Sequence, residues 1–138
     1  MASIRSIQAP GTVRPVGHYS QAIVHDGLVY VSGQVPTDLE TGTPRIGTIE
    51  EQTEFCLGNV RRILEAAGSG LEYALQMSLF ISRIEDWSAI NATYARIMGD
   101  ARPTRAIVPV APLHYGMGIE IMCVAAVAPA KKAPRRAR

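Results

Sequence analysis

The chain has 138 residues, the size of one ordinary domain. It is 47% hydrophobic and 19% charged, which excludes a wholly disordered chain, and its two cysteines lack the CxxC spacing of a zinc site and are too few for a disulfide scaffold. The net charge of +2 hides a division: residues 131–138 hold five of the 14 basic residues and no acid, which leaves a mildly acidic body with nine basic against 12 acidic side chains.

In chain order, Ser3–Gln8 reads as a short strand, followed by an irregular segment punctuated by Pro10, Gly11 and Pro15. Gln21–His25 and Leu28–Ser32 flank Asp26-Gly27, a type I′ hairpin signal. That turn pairs Val24 with Val29, Ala22 with Val31 and Gln21 with Ser32. Ala22, Val24, Val29 and Val31 then share a core face. The opposite, half-apolar face (Ile23, Leu28 and Tyr30 among His25 and Ser32) is most economically an oligomer interface. Val35–Ile46 reads as a loop. Thr48 to Glu51 forms a capping box, and Ile49, Cys56, Val60, Ile63, Leu64 and Ala67 follow at helical spacing until Gly68. Leu75, Met77, Leu79 and Ile81 alternate as the core side of a strand. A second helix carries Glu85 and Asp86 at its positive end and a packing stripe of Trp87, Ile90, Tyr94, Ile97 and Met98, and ends at Gly99. Two apolar strands close the chain, Ala106–Ala111 and Ile119–Val127. The order β-β-β-α-β-α-β-β predicts an α+β domain over residues 1–130 with both helices on one face of a sheet. The basic tail at 131–138 reads as a flexible, solubilising end, with contact to nucleic acid or another anion as the alternative.

These features narrow the function. Both lysines lie in the tail, so neither Schiff-base catalysis by a core lysine nor a P-loop fits. The acidic body argues against a nucleic-acid-binding core. No apolar run has signal-peptide or membrane-spanning length, and a reduced cytoplasmic setting is expected.

Two charges stand out because they lie in apolar strands: Arg105 and Glu120. If the last two strands form a hairpin centred between His114 and Tyr115, Arg105 pairs with Val124, Ile107 with Met122 and Pro109 with Glu120. Arg105 and Glu120 then share one face, two rows apart, with room for a small ligand between them. A register shift of one residue would put them on opposite faces. The alternative to a site is a buried or interfacial ion pair. An arginine fork suits a carboxylate, and a sheltered carboxyl suits proton exchange near neutral pH.

Several ordered motifs carry a resemblance. They are Gly17-His18-Tyr19-Ser20-Gln21-Ala22, Val31-Ser32-Gly33-Gln34-Val35-Pro36, Gln52, Asn59-Val60, Leu64-Glu65-Ala66-Ala67-Gly68, Asn91-Ala92-Thr93-Tyr94, Arg102-Pro103-Thr104-Arg105, Val110-Ala111 and Ile119-Glu120-Ile121. From about Gly17 to Val127 the sequence resembles the Rid (YjgF) family of reactive intermediate deaminases. The resemblance implies a chorismate-mutase-like protomer and a homotrimeric barrel with clefts between subunits. It implies hydrolysis of 2-imino or enamine acids to 2-oxo acids and ammonia, without cofactor or metal. In that picture Arg105 holds the substrate carboxylate and Glu120 positions the attacking water. Tyr19, Ser32, Gly33, Asn91 and the backbone of Ile107 line the cleft. Four features depart from the family pattern: His18 stands where proline is usual, Ile107 where cysteine is common, Met122 in place of a second acid, and Leu113-His114-Tyr115 in place of Leu-Pro-Lys. They point to a more apolar pocket suited to a larger or aromatic-derived imine. The alternatives are a non-catalytic trimer that binds small carboxylates, and an RNA-associated protein acting through its tail. Contact with a membrane is not expected, and contact with nucleic acid is disfavoured.

Overall fold

The computed structural model describes residues 3–131. Its strands are β1 (Arg5–Ile7), β2 (Ala22–His25), β3 (Leu28–Gln34), β4 (Ala74–Ile81), β5 (Thr104–Pro109) and β6 (Ile119–Ala126). The helices are α1 (Ile49–Ala66) and α2 (Trp87–Met98). This is the element order the sequence predicts. The strands form one mixed sheet in the order β1-β2-β3-β6-β4-β5, in which only β4 and β5 run parallel. The tail beyond Lys131 lies outside the described residues.

The local signals act as expected. Asp26 and Gly27 both adopt positive φ (51° and 77°), as a type I′ turn requires. The hairpin pairs Ala22 with Val31 and Val24 with Val29, and the Ser32 N–H donates to the Gln21 carbonyl. At α1, the Thr48 hydroxyl accepts from the Glu51 N–H while the Glu51 carboxylate accepts from the Thr48 N–H. Thr48→Ala removes the first of these bonds and should lower stability by about 1 kcal/mol, seen as a lower urea midpoint with an unchanged m-value.

The core lies between the helices and one face of the sheet. Leu57, Val60, Ile63 and Leu64 of α1 and Ile90 of α2 meet Val29, Met77, Leu79, Ile81, Ile119 and Ile121, all fully buried. Each such side chain contributes roughly 1.5–3 kcal/mol of burial. Cys56 and Cys123 are buried free thiols in this layer. Burial pushes the Cys123 thiol up to about 12, and burial, with the nearby Glu120 charge adding, pushes Cys56 up as well.

Three expectations fail. Leu75 is 47% exposed because the β4–β6 register shifts between Ala74 and Gln76, which turns it off the core face. Trp87 is 39% exposed at the start of α2 instead of packed inside. Most important, β5 and β6 are not hairpin partners: β4 lies between them, parallel to β5 and antiparallel to β6. The physical reason is legible afterwards. Helix α2 carries the chain back along β4, so the strand after it re-enters in the same direction, a βαβ crossover. β5 contains Pro109 and only one residue that is not exposed, which suits an edge. β6 alternates buried Ile119, Ile121, Cys123 and Ala125 with less buried residues, which suits the centre.

Candidate functional site

The true register separates the two charges. Arg105 lies beside Met77, which lies beside Cys123; these are side chains of the helix-facing side. Glu120 lies beside Phe80, which is paired with Val108, on the other side of the sheet. Within one chain Arg105 and Glu120 are therefore on opposite faces, three rows and two strands apart. At about 3.3 Å per residue and 4.8 Å per strand, their backbones stand roughly 14 Å apart. The expected shared face, with a small ligand held between the two in one chain, is thereby corrected.

Glu120 belongs to a cavity of about 440 Å³ that Tyr19, Ser32, Gly33, His114 and Tyr115 also line. A bulge builds its floor. The β3–β6 register gains one residue on β3 between Val31 and Gln34, so Ser32 and Gly33 leave the regular ladder. The Ser32 hydroxyl donates to the Ser20 carbonyl at 2.6 Å, which ties the bulge to the Tyr19 segment. A Cβ on Gly33 would stand 2.1 Å from Glu120 Oε1, so any other residue there would push the carboxylate from this position. The carboxylate thus rests against bare backbone. Among the described residues it has no ion-pair partner within 4.0 Å.

Two buried amides of α1 hold the walls. Asn59 Nδ2 donates to the carbonyls of Val35 (3.3 Å) and Thr37 (2.8 Å), both residues of the cavity lining. Gln52 accepts from the Gly118 N–H at 2.7 Å and donates to the Gly47 carbonyl, so it fixes the chain two residues before Glu120. Across the cavity, Tyr115 sits in the left-handed region (φ 54°, ψ 25°); the residue is 71% exposed and its ring is edge-on to His114. A bulky residue there is strained, a feature common at functional loops.

Arg105 forms a second cluster with α2. Its Nη1 donates to Asn91 Oδ1 at 2.9 Å, and its Cζ lies 4.8 Å from the Tyr94 ring centroid and 5.9 Å from that of Trp87. Ile107, two residues along β5, lies beside Leu79 and faces the helices as Arg105 does. No carboxylate of the described residues comes within 4.0 Å of the Arg105 guanidinium, so the ion-pair alternative does not hold among those residues. The seven candidate residues thus fall into two groups: Tyr19, Ser32, Gly33 and Glu120 at the bulge, and Arg105, Asn91 and Ile107 at the β5 edge. His18 does not line the Glu120 cavity but a neighbouring one, which Arg14 and Tyr19 also line. Among the described residues no cluster of three His, Cys, Asp or Glu could hold a metal, and no helix is long and apolar enough to cross a membrane.

The family model described as Endoribonuclease L-PSP matches residues 8–127. The chain belongs to this family. A RutC family protein of Pyrococcus horikoshii is 36% identical over 112 residues, covering 81% of this chain and 89% of its own. Among solved structures, RidA from an Antarctic Psychrobacter species superposes with a TM-score of 0.83 at 32% identity, covering 89% of this chain and 99% of that one. Escherichia coli TdcF with bound serine gives 0.82 at 28% identity, covering 90% and 99%. The family thus spans YjgF, RutC and Rid proteins, which include the Rid (YjgF) group that the sequence motifs indicate.

Within this L-PSP-family fold the sequence motifs divide by role. Gln52 and Asn59 serve the walls, while Ser32-Gly33 form the bulge. Sequence reasoning missed Val35, Thr37, His114 and Met117 as lining residues, because they sit in irregular backbone whose course no periodicity reveals. It also read Trp87 and Tyr94 as simple packing. Their spacing around Asn91, at four and then three residues, was the available signal that all three face Arg105.

Proposed function

We propose that the chain is a hydrolytic deaminase of reactive 2-imino and enamine acids, and that it acts as a trimer in which two copies complete each site. One observation carries this reading. A carboxylate and a guanidinium, each without an ionic partner among the described residues, lie on opposite faces of one sheet, too far apart for a small molecule to bridge. A second copy brings an Arg105 to a first copy's Glu120. The outer sheet face supplies a surface for that contact, with Tyr30, Val108 and Met122 each more than 40% exposed. β5 offers an open edge beside it.

The chemistry follows from the groups. Arg105 grips the substrate carboxylate through donors left free by Asn91. Glu120 orients a water and takes up its proton as the oxygen bonds to the imine carbon. Glu120 passes that proton to the nitrogen, which gives the neutral carbinolamine; in the collapse it takes the hydroxyl proton and hands it to the departing nitrogen, so the C=O forms, the C–N bond breaks, ammonia leaves and a 2-oxo acid remains. Overall, one imine and one water give one oxo acid and one ammonia, with no redox partner. The serine bound by TdcF is an amino acid with an α-carboxylate, the same anchor this reading assigns to the ligand here. Ile107 lacks a thiol, so its contribution is backbone and apolar wall. The 440 Å³ cavity and the rings of Tyr19 and Tyr115 suit a larger or aromatic side chain.

RNA cleavage, the activity in the family description, finds less support. The Glu120 cavity holds a single histidine, His114, and no lysine, so it lacks the paired base and acid that RNA cleavage would use. The expected result is ammonia release from freshly generated 2-iminobutanoate well above the buffer rate, by a protein that sediments as a trimer. Binding of 2-oxobutanoate without faster ammonia release would instead establish a carboxylate-binding protein. A monomer at working concentration would remove the two-copy site.

A further inference from the structure

We propose that Trp87 is a positioning residue for Arg105, the exposed half of an aromatic trough that holds the guanidinium ready for a carboxylate. The proposal rests on the carboxylate role given to Arg105 above, and it adds a residue that role does not name. Arg105 sits on an edge strand and has no counter-ion among the described residues. A long cation in that position would sample many rotamers, and ordering it at the moment of binding would weaken the ligand.

The first face of α2 prevents this. Trp87, Asn91 and Tyr94 follow at intervals of four and three residues, so they line one side of the helix. Two rings and one amide then fix the guanidinium. Tyr94 lies 4.8 Å away, Trp87 lies 5.9 Å away, and Asn91 accepts one N–H at 2.9 Å. Aromatic faces attract a guanidinium without consuming its N–H donors. Of the five donors, one goes to Asn91 and the others stay available for a two-pronged contact with an acid group. The Tyr94 hydroxyl is buried without a partner among the described residues, so the ring is not placed by a hydrogen bond to any of them. Tyr94 is also part of the core at 6% exposed, whereas Trp87 is 39% exposed.

The test uses the full chain and two variants. Trp87→Leu keeps an apolar side chain but removes the ring; Trp87→Phe keeps a ring. The Leu variant should raise KM for 2-iminobutanoate, and Kd for 2-oxobutanoate, about three- to tenfold, with kcat changed less than about twofold. The Phe variant should stay within about twofold of the native protein on all three measures. Trp87 is the single tryptophan of the chain, so its emission also reports the contact: 2-oxobutanoate should change it in the native protein and not in Arg105→Ala. Unchanged KM and Kd in Trp87→Leu would overturn the proposal, as would equal losses in the Leu and Phe variants. If the native protein binds 2-oxobutanoate but releases no ammonia, the deaminase reading fails alone and Kd decides the trough. If it does not bind 2-oxobutanoate at all, the trough fails with it.

Discussion

Arg105→Ala should lower kcat/KM for 2-iminobutanoate by about 10²–10³-fold, the scale of losing a bidentate anchor that both binds and orients the reacting carbon. Arg105→Lys should recover only part of that loss, because an ammonium is a point charge and cannot reproduce the planar fork. The folded state should hardly notice either change. Arg105 is an exposed residue of an edge strand, with no ion pair to lose among the described residues. A thermal midpoint within a few degrees of the native one would therefore accompany the kinetic defect. Activity within tenfold of native in Arg105→Ala would show that the carboxylate is held elsewhere. Steady-state ammonia release and a thermal melt together decide the matter.

How much of this could be read from the residues differs by length scale. Signals confined to a few neighbours were legible. Asp26-Gly27 fixed a hairpin, since two positive φ angles leave one turn type. Thr48 and Glu51 fixed the start of α1 through two reciprocal bonds. The strand partner of β5 was not legible, because a nine-residue connection to β6 looks like a long hairpin loop while the decisive competitor, β4, lies a whole helix earlier. That single pairing reversed the geometry of Arg105 and Glu120. Side chains alternate across a sheet, so a wrong neighbour is as damaging as a wrong register. The bulge at Ser32-Gly33 was equally hidden, although the glycine was visible. Only the structure reveals that its missing Cβ is the space taken by Glu120 Oε1.

The separation of the two charges makes a sharper prediction than either substitution alone. Glu120→Gln should keep the shape of the bulge, since the amide matches the carboxylate in size, and lower kcat about 10²–10⁴-fold through loss of proton transfer. Arg105→Ala and Glu120→Gln chains, each nearly inactive, should then be co-refolded in equal amounts. In a head-to-tail ring each site draws its arginine from one chain and its glutamate from a neighbour. Half of the arginine positions and half of the glutamate positions remain native, independently, so about one quarter of the sites regain both groups. The mixture should therefore recover about a quarter of native activity, far above either variant alone. If the two residues worked within a single chain, every chain in the mixture would carry one defect, and no site would recover. Activity that stays at the level of the single variants, in a mixture that sediments as the native protein does, would place the chemistry inside one chain and end the two-copy site. Recovery near a quarter would require a guanidinium and a carboxylate that meet only across a boundary between copies, which is the arrangement the opposite faces of this sheet favour.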